Sequence, residues 1–292
     1  MHIPVLKEEV MQYLNPKRNE NFIDCTIGEG GHTFAILEKT GLSGRVLGID
    51  KDNRNIKLVK DKAKQNNFSN RLIAKEDNYI NLKKIVQKEK FSKVSGFLFD
   101  LGMSSWHIDS SKRGFSFQKD EILDMRYSIK DELTAWDIVN SWPPEEIESI
   151  LKSFAEEKFS KKITSAIISR RKIKKIDTAI DLAEIIKNIF PKIKKIHPAT
   201  KTFQAIRIAV NSELQNIKKA LPDAIEILEE GGVISIISFH SLEDRIVKTF
   251  LKQSEEITVI TKKPVVPSPK EIINNARSRS AKLRVAIKNK TK

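Results

Sequence analysis

One cysteine, Cys25, stands in 292 residues. An internal disulfide is thereby excluded, as is any zinc or iron–sulfur site built from several thiolates, and no structural metal is expected. A lone thiol also fits a reducing cytoplasm. No run of about 18 apolar residues occurs, so no transmembrane helix and no membrane partner are expected. The start, Met1-His2-Ile3-Pro4, lacks the basic, apolar and cleavage regions of a secretion signal. Glycine is scarce at 11 residues, and three of them crowd into the four positions Gly28-Glu29-Gly30-Gly31. That crowding points to a backbone that turns sharply and lets a ligand come close.

Acidic residues are scarce in two places. Residues 158–201 carry 13 Lys/Arg against 3 Asp/Glu, and residues 277–292 carry 7 against none, within a net charge of +15. The rest of the chain is close to neutral. Basic charge gathered in two blocks is the footprint of a polyanion, most simply a nucleic acid.

What is present reads as an α/β fold. Phe22-Ile23 leads into the glycine loop Asp24-Cys25-Thr26-Ile27-Gly28-Glu29-Gly30-Gly31-His32, and a helix follows over 33–39. Val46-Leu47-Gly48-Ile49-Asp50 and Gly96-Phe97-Leu98-Phe99-Asp100 are apolar runs closed by an acid, the pattern of buried parallel strands. Gly30 to Asp50 is about the spacing at which such folds offer a carboxylate to a ribose. Helices are expected over 52–66 and 80–89, and a strand near 71–74 leads to Asp77 and Tyr79, placed to hold an adenine. Residues 106–130 read as a long loop, and 134–190 as helical throughout. A helix over 202–220, another over 222–229 and strands at 233–238 and 283–287 return to the first pattern. This predicts a sheet domain of residues 1–105 plus 203–292, with residues 106–202 as an inserted basic helical domain suited to a nucleic acid.

The loop lacks Gly-Lys-Ser/Thr, which disfavours a P-loop, and its Gly-x-Gly-Gly order departs from the dinucleotide fingerprint. A small polar group with an adjacent adenosine, as in S-adenosylmethionine, suits it better. Asp100-Leu101-Gly102-Met103-Ser104-Ser105 lies past the carboxyl end of a central strand, where open α/β sheets react their ligands. Phe115 and Phe117 read as packing anchors and His240 as a structural histidine. Arg207 and Glu213, six apart, share no helix face.

Taken jointly, the glycine loop, the Asp100–Ser105 loop, Arg113-Gly114-Phe115-Ser116-Phe117, Leu123-Asp124-Met125-Arg126, His197-Pro198-Ala199-Thr200 and Ser238-Phe239-His240-Ser241-Leu242-Glu243-Asp244-Arg245 resemble the RsmH (MraW) family. The resemblance runs over nearly the whole chain. It implies a class I, Rossmann-like methyltransferase fold, S-adenosylmethionine as cofactor, and the N4 of a decoding-region cytosine of bacterial 16S rRNA as acceptor. It further implies a cytoplasmic enzyme acting on the small ribosomal subunit as a monomer or homodimer. Carried over by position, Gly30, Gly31, His32, Asp50, Tyr79, Asp100 and His107 would hold the cofactor. The family pattern has Phe where Tyr79 stands and Pro-Gln where Trp106-His107 stand. Asp100 and Ser104 are the expected catalytic residues, with Asp109 and Asp124 behind them. The alternatives are the same fold methylating another nucleic acid, and a non-catalytic RNA-binding assembly factor.

Overall fold

A computed structural model describes residues 3–190 and 197–290. Lys192, Lys194 and Lys195 of the first basic block lie outside the described residues. In chain order the elements are α1 (Lys7–Leu14), β1 (Asn21–Asp24), α2 (Gly31–Lys39), β2 (Val46–Asp50), α3 (Asn53–Gln65), β3 (Leu72–Glu76), α4 (Leu82–Lys88) and β4 (Val94–Asp100). Then follow α5 (Ser105–Asp109), α6 (Ala135–Ser141), α7 (Pro144–Ala155), α8 (Ser160–Ile173), α9 (Ala179–Ile189) and α10 (Ala199–Asn211). The chain closes with α11 (Glu213–Ile227), β5 (Leu228–Ser238), α12 (Ser241–Gln253), β6 (Ile257–Val259), α13 (Pro269–Asn274) and β7 (Lys282–Lys288).

The strands form one sheet in the order β3-β2-β1-β4-β5-β7-β6. β1 to β5 are parallel, and β7 runs antiparallel between β5 and β6. Parallel strands covered on both faces need apolar residues throughout, and Phe97, Leu98 and Phe99 of β4 are all buried. Strand order reverses between β1 and β4. At such a switch point helices leave on opposite faces and open a crevice beyond the strands' carboxyl ends. Asp24, Asp50 and Asp100 are the last residues of β1, β2 and β4.

The chain divides into two compact units, residues 1–102 with 214–292, and residues 103–213. The helical unit is built around Ile138, Leu151, Ile163, Leu182, Ile186 and Ile206. Two of its helices start at side-chain caps. Thr134 and Asp137 form a reciprocal capping box at α6, and the Thr178 hydroxyl caps α9. The expected boundary at 202/203 falls inside α10, whose Phe203, Ala205, Ile206 and Val210 belong to the helical core, so the unit extends to Glu213. The expected break near residue 221 also moves. Pro222 sits within α11, and the helices part at Ser212, which adopts a left-handed backbone (φ 52°). That turn brings Arg207 and Glu213 into a buried two-point ion pair of 2.8 and 2.9 Å, which their spacing on a continuous helix would forbid.

Candidate active site

Beyond β1 the chain keeps its strand direction for a few residues. Cys25 N–H donates to the Leu98 carbonyl and Ile27 N–H to that of Ile49, which centres the glycine loop on the sheet. Gly28 and Gly30 have φ of 50° and 86°, conformations that cost a side-chain-bearing residue. Asp24 is buried and anchors the loop: it accepts the Thr26 N–H at 3.1 Å and the Thr33 hydroxyl at 2.7 Å. Burial raises its pKa to about 6, with the Asp50 charge adding to the rise and its two hydrogen bonds opposing it.

Asp50 is fastened from three sides. Its Oδ2 accepts the Gly28 N–H and the Asn55 amide, each at 3.0 Å, and its Oδ1 accepts the Asp52 N–H at 2.8 Å. The cap of α3 is Asp52, which accepts the Arg54 N–H, so Asp50 is the residue that ties β2 to the glycine loop. Asp77 accepts the Asn78 N–H and the Asn81 amide and so shapes its own turn. Tyr79 follows, its ring edge-on to Phe99 at 5.8 Å.

Asp100 donates its N–H to the Thr26 hydroxyl at 2.6 Å, and its Oδ2 lies 3.7 Å from Nε2 of the buried His32. Its Oδ1 is buried with no hydrogen-bond partner among the described residues. Burial, then the charges of Asp24 and Glu243, raise the Asp100 pKa to about 8. Glu243 is itself buried, accepting the N–H groups of Phe239 and His240 at 2.8 and 3.3 Å as half of a capping box at α12. Three acids thus gather beyond β1, β4 and β5, and one of them holds an unmatched oxygen. An orphaned buried carboxyl oxygen in an acidic crevice suits a ligand that brings positive charge and hydrogen-bond donors.

The sequence matches the MraW methylase family over residues 1–289. The chain belongs to that family. It is 44% identical over 290 residues to a ribosomal RNA small subunit methyltransferase H from Sulfurihydrogenibium sp., covering 97% of this chain and 98% of that protein. The corresponding protein of Persephonella marina is 44% identical over 291 residues, with 98% of each chain covered. A solved structure from Clostridium thermocellum, named as an rRNA-methylase, superposes with a TM-score of 0.52 at 16% identity, covering 99% of this chain and all of that one. That likeness bears on the fold, a class I methyltransferase sheet, as expected from the sequence. The expected activity, S-adenosylmethionine-dependent methylation of small-subunit rRNA, agrees with the family and with the relatives' names.

In this MraW methylase the sheet unit brings together Gly30, Gly31, His32, Asp50 and Asp100, with Tyr79 at the end of β3. Ser104, His107 and Asp109 belong to the helical unit. There the Ser104 hydroxyl meets His107 Nδ1 at 2.9 Å, and the buried imidazole lies among Trp106, Phe115 and Tyr127 with ring centroids 5.0–5.4 Å away. Asp109 is exposed, and its carbonyl receives the Lys119 ammonium. Asp124 is clamped by Arg126 through bonds of 2.9 and 2.7 Å. Phe115 is buried, Phe117 stacks on His197 at 4.6 Å, and His240 caps α12. Two acids at the crevice lay outside the expected set, Asp24 and Glu243. Asp24 was legible as the acid closing the first apolar run. Glu243 was hidden because only the fold carries the start of α12 to the end of β4.

Proposed function

We propose that this MraW methylase transfers a methyl group from S-adenosylmethionine to the exocyclic N4 of a cytosine in the decoding region of 16S rRNA, in the cytoplasm. The observation that carries the reading is the Asp24–Asp100–Glu243 acid group at the switch point, with the Asp100 Oδ1 left unmatched beside the glycine loop. When bound, S-adenosylmethionine supplies an activated methyl group on a cationic sulfonium. The loop from Gly28 to His32 receives its polar end, Asp50 holds the ribose hydroxyls, and Tyr79 lies against the adenine. His107, whose Nδ1 meets the Ser104 hydroxyl, is a further candidate cofactor residue.

Cytosine N4 is a weak nucleophile because its lone pair is delocalised into the ring. The protein's main task is therefore alignment, worth several orders of magnitude in rate. Positive charge develops on N4 as the new bond forms, and Asp100 accepts its N–H there, a hydrogen bond that strengthens towards the transition state. A positive ligand also favours the ionised form of Asp100, so the proton held near neutral pH leaves as the site fills. Ser104 and Asp109 stand as further candidates on the segment that follows. The target base must leave its stack to be reached.

Exposed Lys161, Lys162, Lys172 and Lys174, on and just after α8, supply a phosphate-binding face. Two other cations of that block are committed internally. Arg171 donates to the Val139 and Trp142 carbonyls at the end of α6, and Lys175 reaches the Asn140 carbonyl. The basic tail is divided in the same way: Lys282 and Arg284 pair with Asp244, and Lys288 donates to the Ile225 and Leu228 carbonyls.

The test is transfer of labelled methyl from S-adenosylmethionine to 16S rRNA taken from cells lacking this modification, presented free and as assembled subunits. Wild-type protein labels it, and Asp100→Ala loses turnover while keeping RNA affinity. RNA binding without labelling would instead support the non-catalytic assembly factor.

A further inference from the structure

The N-terminal segment reaches the cofactor loop before the sheet begins. A Cβ added to Gly31 would stand 2.3 Å from Cγ of Pro4, so the Pro4 ring occupies the space a side chain would need at the first residue of α2. Gly31 is therefore a glycine because Pro4 lies on it, and its neighbour His32 faces Asp100. Two residues after Pro4, the fully buried Leu6 adopts a left-handed backbone with φ 53°. An L-residue with a branched side chain enters that region only when its surroundings compel it. The compelling contact comes from the other end of the chain. Leu6 N–H donates to Oε1 of Glu271, in α13, at 2.8 Å. Nearby, the Asn275 side-chain amide donates to the Ile3 carbonyl at 3.2 Å. Glu271 is fixed in turn, since its own N–H is capped by the Ser268 hydroxyl.

We infer that residues 3–6 form a strap over the start of α2, fastened by Glu271 and Asn275, and that Glu271 is a positioning residue for cofactor binding acting through Leu6 and Pro4. The carboxylate holds the Leu6 turn, the turn lays Pro4 on Gly31, and Pro4 fixes the backbone from which His32 projects. None of these residues touches the reacting atoms. Their effect falls on cofactor affinity and leaves the chemical step alone. The inference rests on the reading that Gly30, Gly31 and His32 hold the cofactor, and the experiment separates the two.

Glu271→Ala, Glu271→Gln, Pro4→Ala and His32→Ala are compared by calorimetric S-adenosylmethionine binding, by steady-state kinetics, and by amide hydrogen exchange without cofactor. Glu271→Ala is expected to weaken cofactor binding about tenfold. It should raise the cofactor KM with kcat unchanged, and speed exchange in peptides spanning both residues 3–7 and residues 28–34. Glu271→Gln keeps an acceptor oxygen and stays near wild type. Pro4→Ala, which leaves the core packing of Leu6 in place, weakens binding as Glu271→Ala does, and the two together are less than additive. Cofactor affinity within about twofold of wild type in both Glu271→Ala and Pro4→Ala overturns the strap. If His32→Ala also binds normally, it is the reading of the glycine loop that fails; if only His32→Ala loses affinity, that reading stands and the strap alone is wrong.

Discussion

Burial and two neighbouring acids raise the Asp100 pKa to about 8, and two measurable consequences follow. The first concerns stability. An acid whose folded-state pKa is raised contributes stability below its ordinary value near 3.8, and that contribution is lost as pH rises through about 8. Asp100→Asn removes the loss. Each tenfold change in proton affinity is worth about 1.4 kcal/mol and the loss accrues from pH 3.8 up to about 8, so the stability of the variant relative to wild type should be about 3 kcal/mol greater near pH 9 than near pH 6. Thermal or urea unfolding at the two pH values checks this, and an equal difference at both would contradict it. The second concerns the ligand. S-adenosylmethionine binding should release protons below about pH 8, tighten with rising pH, and level off above it. Calorimetry in buffers of different ionisation enthalpy reads the proton count directly. Proton uptake, or affinity independent of pH, would show that Asp100 does not face the positive group. At this scale the sequence made Asp50 and Asp100 legible because each closes an apolar run. The proton affinity of Asp100 was not legible, since it depends on burial in the fold and on the charges of Asp24 and of Glu243, the latter 143 residues further along.

Among the elements, α8 separates binding from structure within one basic stretch. Replacing Lys161, Lys162, Lys172 and Lys174 with Gln should weaken RNA binding and flatten its salt dependence, by roughly 0.7–0.9 in log–log slope for each phosphate no longer neutralised. Folding should be unchanged. Arg171→Ala should act the other way, lowering the stability of the helical unit by about 1–3 kcal/mol because it strips a charged donor from the last carbonyls of α6. A salt titration of RNA binding and a urea melt of each variant distinguish the two groups. Strands β2 and β4 were legible as apolar runs closed by acids, and α2, α3 and α4 lie close to the ranges expected for them, whereas β6 was not foreseen. Nor was the break after α10. Pro222 is the stronger local signal, yet it lies within α11, while Ser212 turns the chain because the Arg207–Glu213 pair and the burial of Asn211, whose side chain donates to the Met125 carbonyl, hold it there. Removing that pair by Arg207→Ala leaves Glu213 buried without its cation, a loss of about 3–5 kcal/mol. Chemical denaturation of this variant against the Arg207→Ala/Glu213→Gln double variant would show the double variant recovering part of the loss.

For the whole molecule, a sheet unit carrying the acid crevice and a helical unit carrying much of the basic charge divide the work that a nucleic-acid methyltransferase must do. No helix among the described residues is long and apolar enough to cross a membrane. The motifs that carried the family resemblance have mixed roles in the structure. The glycine loop and Asp100 line the crevice, whereas Arg113, which donates to the Arg126 and Tyr127 carbonyls, and Asp124 with Arg126 build the loop scaffold of the helical unit. The central claim is that this division serves methylation of one cytosine of 16S rRNA at N4. Its most direct test is mass spectrometry of the decoding-region fragment of 16S rRNA from otherwise unmodified subunits, after incubation with the protein and S-adenosylmethionine. One methyl group on the N4 of a single cytosine, absent with Asp100→Ala, is the predicted result. An unmodified fragment, or a methyl group on another atom or another base, would contradict it.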